Sequence, residues 1–158
     1  SLSKYHAQHP FRLDIDGAQY EIAYCPGDSD TWLFGGNSNW RGPIWFPLNY
    51  LIIQSLKQYH RHFGDRFTVE YPTGSGEQRT LNECATDIER RLTRLFLKGE
   101  DGQRPYASRF PLQSSDPHFS ELHQFFEYFH GDDGQGHGAS HQTGWTALVA
   151  TLLHDLAQ

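Results

Sequence analysis

Residues 125–129 read Phe125-Phe126-Glu127-Tyr128-Phe129, a single carboxylate with two aromatic residues on each side. Burial among such rings disfavours the charged form and raises a carboxyl pKa, which is how a Glu becomes fit for general-base work near neutral pH. The plainer reading is an exposed Glu on a half-buried helix or strand. A second stretch, residues 36–50, packs Trp40 and Trp45, Arg41, Asn37, Asn39 and Asn49, and two prolines into a turn-rich run that leads into an apolar segment. Indole offers a flat apolar face with one donor, guanidinium a rigid fork of donors, and Asn a donor and an acceptor on one amide. That mixture suits a ligand rich in hydroxyls. It equally suits a buried corner in which the two Trp pack and Arg41 pairs with a carboxylate.

Immediately after Glu127 comes His130-Gly131-Asp132-Asp133-Gly134-Gln135-Gly136-His137-Gly138. Its glycines permit close backbone approach and positive φ. The Asp pair does not meet the EF-hand loop pattern, and the Gly-Lys-Ser/Thr of a phosphate loop is missing. His130, His137 and His141 have metal-compatible spacing with no visible supporting shell, so no metal or cofactor is expected. His60 and His62 sit two apart and face different ways on a helix. Asp30 reads as a turn or cap residue, and Trp145 as part of an apolar helical stripe.

The bulk properties exclude some classes of partner. Net charge is −6, from 13 basic and 19 acidic residues in 158, so the broad cationic footprint of a nucleic-acid or membrane-surface binder is absent. No run approaches the ~18 apolar residues of a membrane span, and no signal-peptide pattern opens the chain. Only two cysteines occur, Cys25 and Cys84, too few for a disulfide framework, so reduced thiols and a cytoplasmic setting are expected. The chain has no Met and opens Ser1-Leu2, which reads as a fragment of something longer. Hydrophobic content is 37% but aromatic content is 15%.

The elements that must position these residues follow from pattern. Residues 11–15 and 19–24 alternate apolar and polar around Asp16-Gly17, a short-hairpin signal. Such a hairpin is marginal alone and should lie against something else. A first long helix should start near Phe46-Pro47, with Leu48, Ile52, Leu56, Tyr59 and Phe63 as its apolar face, and end at Gly64-Asp65. Thr80 and Glu83 form a capping box for a second helix bearing Leu81, Cys84, Ala85, Ile88, Leu92, Leu95 and Phe96. Asp116-Pro117 should open a shorter helix bearing Phe119, Leu122 and Phe126. A last helix should follow Gly144, with Trp145, Leu148, Val149, Leu152, Leu153 and Leu156 on one stripe. The connecting loops are long, which in a compact domain marks function or disorder, and their aromatic content argues against disorder.

The ordered series Asn39-Trp40-Arg41-Gly42-Pro43-Ile44-Trp45, Asn49-Tyr50-Leu51, Phe126-Glu127-Tyr128, Gly134-Gln135-Gly136-His137-Gly138 and Thr143-Gly144-Trp145-Thr146 resembles the C-terminal part of glycoside hydrolase family 63, and its bacterial branch most. The resemblance spans Gly36 to about Leu153. It implies a mainly α chain, residues 1–158, that is a fragment of an (α/α)6 toroid, with a small β-hairpin at about 11–24 and a helical part at about 46–157. It also implies inverting hydrolysis of α-glucosides by two carboxylic acids. Matched motif to motif, Glu127 takes the place of the general base, while Trp40, Arg41, Trp45, Asn49 and Trp145 fall to the sugar-binding wall; the acid lies upstream, outside this chain. The implied partners are a carbohydrate substrate and the remainder of the catalytic domain, with neither nucleic acid nor membrane. Helix faces left without partners predict self-association of the isolated fragment. The rival reading is a non-catalytic carbohydrate-binding or scaffold module on a helical toroid. A third is a toroidal isomerase or phosphorylase-like enzyme.

Overall fold

The computed structural model describes residues 3–32 and 39–158; the opening of the Trp-rich stretch, up to Ser38, lies outside them. The chain is mixed rather than mainly α, and it is not a toroid fragment. Among the described residues, three antiparallel two-stranded sheets alternate with a few helices, of which only two exceed ten residues. The toroid rests on the resemblance alone; in the structure the segment after Asp116-Pro117, expected as a helix, meets its backbone groups in turns, and other connections pair as short ladders.

Strands β1 (Phe11–Ile15) and β2 (Ala18–Ile22) pair in register, Ile15 opposite Ala18. Asp16 and Gly17 both take positive φ, 51° and 80°, as a type I′ turn requires. Among the described residues nothing forms the expected covering layer: all of β1 and most of β2 are exposed, as are Phe11, Leu13, Ile15 and Tyr20.

Helix α1 spans Phe46–Phe63, with Pro47 in its first turn. Gly64 stops it at φ 69°, its N–H closing on the His60 carbonyl. Its buried residues, however, are Phe46 and Ile53, with Tyr50 and Leu56 packed beside them. Leu48, Ile52, Tyr59 and Phe63, four of the five residues of the expected inner face, are exposed. The helix carries two apolar stripes, and the wider one lines an open groove with Pro43, Leu51 and Ser55.

Strands β3 (Thr68–Glu70) and β4 (Gln78–Thr80) form a second hairpin, which the turn residues between them conceal in the sequence. Helix α2 (Leu81–Arg94) then starts on the predicted capping box. The Thr80 hydroxyl accepts from Glu83 N–H, and the Glu83 carboxylate accepts from Thr80 N–H at 2.7 Å. No helix follows Asp116-Pro117. Helix α3 is the earlier, one-turn Pro111–Ser115, Asp116 accepts turn hydrogen bonds from Phe119, Ser120 and His118, and Phe126 lies outside any helix. Strands β5 (Tyr128–Phe129) and β6 (Gly136–His137) make the Gly-rich segment a hairpin. Helices α4 (Thr143–Thr146) and α5 (Leu148–Leu156) close the chain. No helix among the described residues is long and apolar enough to cross a membrane.

The core joins α1, α2, α5 and the β5 segment through Phe46, Ile53, Leu92, Phe96, Phe129 and Leu152. One charge cluster staples it. Glu89, 2% exposed, meets Lys57 Nζ at 2.5 Å as an ionic contact off the hydrogen-bonding direction, and Lys57 also donates to Asp155 at 3.2 Å. Burial works against the Lys57 charge, but the contacts with Glu89 and Asp155 outweigh it, and the ammonium is held above its ordinary pKa. Removing one partner of a buried pair strands the other charge, at a cost of about 3–5 kcal/mol. Lys57→Met is therefore expected to destabilise the chain by about 3 kcal/mol in urea unfolding, and Lys57→Met with Glu89→Leu to recover most of that loss.

Candidate functional site

The segment 125–129 is laced on both edges. Phe129 exchanges both backbone hydrogen bonds with Ile44, at 2.7 and 3.0 Å, while β6 pairs on its other side. Upstream, Glu127 N–H donates to the Ala139 carbonyl at 2.9 Å, and the buried Thr146 hydroxyl donates to the Phe126 carbonyl. Glu127 is half-buried, and its Oε2 accepts the Ala139 N–H at 3.2 Å. Gly138 sits against it at φ 67°; a Cβ there would lie 2.6 Å from Glu127 Oε2 and 3.0 Å from the Tyr128 ring. The carboxylate is thus gripped by its own hairpin.

The Ile44–Phe129 pairing brings the Trp-rich stretch against this segment. Five rings stack in series: Trp40 on Trp45 (centroids 4.1 Å), Trp45 on Tyr128 (4.7 Å), Tyr128 on His137 (5.7 Å), and His137 on His130 (5.9 Å). Trp145 leans on Trp45 at 5.5 Å. Trp45 is only 1% exposed and donates its indole N–H to the Asn39 carbonyl, whereas Trp40 is 43% exposed at the outer end of the stack.

A strap, residues 24–31, crosses both pieces. Cys25 N–H donates to the Arg41 carbonyl, and Gly131 N–H to the Pro26 carbonyl. The Asn39 amide donates to the carbonyls of Cys25 and Gly27, both at 2.7 Å, and accepts from Arg41 N–H. Arg41 is buried and donates to Asp30 at 2.7 Å and to Ser29. Asp28 Oδ1 accepts from the Tyr128 hydroxyl at 2.6 Å and contacts His137 Nδ1 at 3.0 Å.

The residues singled out in the sequence are therefore neighbours with unequal exposure. Trp40 presents an open face. Arg41 and Trp45 are spent on interior partners. Asn49 donates back to the Trp45 carbonyl and lines the α1 groove, and Trp145 is half-buried against Trp45. His141 stands apart, edge-on to Phe125. Among the described residues, no three His, Cys, Asp or Glu side chains are grouped to hold a metal. Cys25 and Cys84 are both free thiols.

Residues 33–83 match the glycosyl hydrolase family 63 C-terminal domain. Over 99% of its length the chain is 49% identical to an uncharacterized protein of Saccharomyces cerevisiae, covering 14% of that protein. It is 28% identical over 76% of its length to a mannosyl-oligosaccharide glucosidase of the same yeast, and 24% identical over 73% to alpha-glucosidase 2 of Arabidopsis thaliana, covering 11% of each. No solved structure matches. The chain is thus related to glucosidases, and it spans about a seventh or less of these relatives' length. All three are eukaryotic and do not bear on a bacterial branch.

Sequence reasoning passed over Tyr128, His137 and Asp28 as a group. Tyr128 and His137 are register partners across β5 and β6, but Asp28 lies 100 residues upstream, and no local pattern joins them. Their electrostatics are coherent. The Tyr128 hydroxyl is pushed up, first by burial and then by its hydrogen bond to Asp28. Asp28 is held below the usual carboxylate range chiefly by that same bond, against the opposing effect of burial, and Asp30 chiefly by Arg41. A depressed carboxylate stabilises the fold above the unfolded pKa of about 3.9, and that contribution is lost as pH falls through the folded value. Near-UV circular dichroism of the Trp stack is therefore expected to be constant from neutral pH down to about 4 and to collapse below it, with the Asp28 share of the change absent in Asp28→Asn.

Proposed function

We propose that this chain supplies the general base and part of the sugar-binding wall of an inverting α-glycosidase that hydrolyses α-glucosides. Glu127 takes the proton of a water attacking the anomeric carbon, and an acid from outside this chain protonates the leaving oxygen from the other face. The observation that carries the reading is the placement of Glu127. A half-buried carboxylate, fixed by the Ala139 N–H, stands beside an aromatic stack whose outer ring, Trp40, is open to solvent. The glucosidase relatives and the matched family segment supply the reaction class. Trp40 offers a face to sugar C–H groups and Asn49 a polar edge; Arg41, Trp45 and Trp145 hold that wall from behind. The uncovered stripe of α1 then packs on the remainder of the enzyme.

The reading of a non-catalytic carbohydrate-binding module draws on one observation, that Arg41 and Trp45 are committed to interior contacts. The two separate on one substitution in the full-length protein. Glu127→Gln keeps size and most hydrogen bonding but cannot take a proton. Turnover of an α-glucoside is expected to fall at least ~10²-fold with substrate affinity retained, and the wild-type product to appear with inverted configuration by NMR. Undiminished turnover would make Glu127 a structural carboxylate. The 158-residue chain alone is expected to be inactive with or without the change.

A further inference from the structure

We infer that Asp28 is a positioning residue for Glu127, acting from the strap through the Tyr128–His137 pair; the inference rests on the reading of Glu127 as the base. The hairpin that carries Glu127 is short. Its ladder holds two residue pairs, Tyr128 with His137 and Phe129 with Gly136; Ile44 braces the Phe129 end, while a pair of that length does not by itself hold the geometry of its other end in water. Glu127 lies just beyond the Tyr128–His137 end, where Gly138 and Ala139 turn back onto its carboxylate. The Glu127 N–H on the Ala139 carbonyl ties the two backbones there, and the side chains of the adjoining rung need an anchor of their own.

Asp28 does so with one oxygen. Oδ1 receives the Tyr128 hydroxyl at 2.6 Å and contacts His137 Nδ1 at 3.0 Å, so one atom ties the side chains of both strands at the rung next to Glu127. Asp28 is ionised and can only accept, which makes His137 the donor and assigns its proton to Nδ1. His137 Nε2 is buried with no hydrogen-bond partner among the described residues. The ring is therefore held by the Asp28 bond and by stacking between Tyr128 and His130. The strap is anchored in turn by Asn39, through the Cys25 and Gly27 carbonyls on either side of Pro26, and by Gly131 N–H on Pro26. Removing Asp28 takes away the one atom that ties the Tyr128 and His137 side chains to each other, and so loosens the turn that seats the Glu127 carboxylate.

The test compares Asp28→Ala, Asp28→Asn, Glu127→Gln and the Asp28→Ala/Glu127→Gln double variant in the full-length enzyme. Asp28→Ala is expected to lower kcat by roughly 10²-fold, the scale of a ~1 Å misplacement of a catalytic group, with KM changed less than about twofold. Asp28→Asn, whose amide oxygen still accepts both hydrogens, is expected to keep at least about a third of kcat. In the Glu127→Gln background, Asp28→Ala is expected to change kcat less than about twofold, because nothing remains to be positioned. A merely structural role would lower Tm in both backgrounds without this dependence. Wild-type kcat in Asp28→Ala, or an undiminished loss in the Glu127→Gln background, overturns the inference.

Nitrogen NMR of His137 gives a readout independent of turnover. A ring protonated on Nδ1 in the wild type and in Asp28→Asn supports the inference, and protonation on Nε2 in the wild type overturns it. If Asp28→Ala does not fold, Asp28→Asn decides: near-wild-type kcat with the Nδ1 proton retained upholds the inference, and loss of both overturns it. Full turnover by Glu127→Gln would instead remove the base assignment, while the His137 tautomer would still report whether Asp28 sets the hairpin.

Discussion

One buried amide, that of Asn39, holds the candidate site together. Its nitrogen donates to the Cys25 and Gly27 carbonyls, its side-chain oxygen accepts from Arg41, and its backbone carbonyl takes the Trp45 indole proton. It is 1% exposed, and every hydrogen-bonding group on the amide has a partner. A buried polar network fully satisfied in this way fixes one arrangement, because any alternative leaves donors bare at a cost of about 1–3 kcal/mol each. The strap, the Trp-rich stretch and the start of α1 are therefore set relative to one another by a single residue.

From that junction the order passes through aromatic area. Trp45, seated by Asn39, carries Trp40 on one face and Tyr128 on the other, and Tyr128 leads to His137 and His130. Stacked rings bury large apolar surfaces with few torsions to freeze, so a loop-rich region can be rigid with little regular secondary structure. The backbone exchange between Ile44 and Phe129 fixes the direction in which the stack runs. Phe129 is also a core residue against Phe46 and Phe96, so the site and the helical core share a wall. Glycine makes the closest approach possible: a Cβ at Gly131 would lie 2.5 Å from the Gly42 carbonyl and 2.7 Å from the Tyr24 hydroxyl.

The same economy leaves surface uncovered. Leu48, Leu51, Ile52, Tyr59 and Phe63 on α1, and Phe11, Leu13, Ile15 and Tyr20 on the first hairpin, are exposed. A chain of this size buries a limited share of its apolar area, and here that share goes to the junction of α1, α2, α5 and the Glu127 segment. Glu89 sits inside the junction because Lys57 reaches it from α1, with Asp155 of α5 sharing the same ammonium.

What the sequence determined by itself was local. The hairpin at Asp16-Gly17, the start and stop of α1 at Pro47 and Gly64 and the Thr80–Glu83 capping box are legible because each depends on backbone φ or on hydrogen bonds between residues at most four apart; the single last helix expected after Gly144 is instead split into α4 and α5. Glu127 stood out for a similar reason, its aromatic flanks being contiguous. Tertiary structure decided everything that needed a partner far away: which of two apolar stripes on α1 is buried, that Arg41 is spent on Asp30, that residues 130–135 turn between paired strands, and that residues 116–122 form turns and no helix. Asp28 is the clearest case. Its Asp-Ser-Asp surroundings carry only a turn signal, and its contacts with Tyr128 and His137 exist because the Asn39 amide and the Ile44–Phe129 pairing bring together segments 100 residues apart, a distance over which periodicity and propensity carry no information.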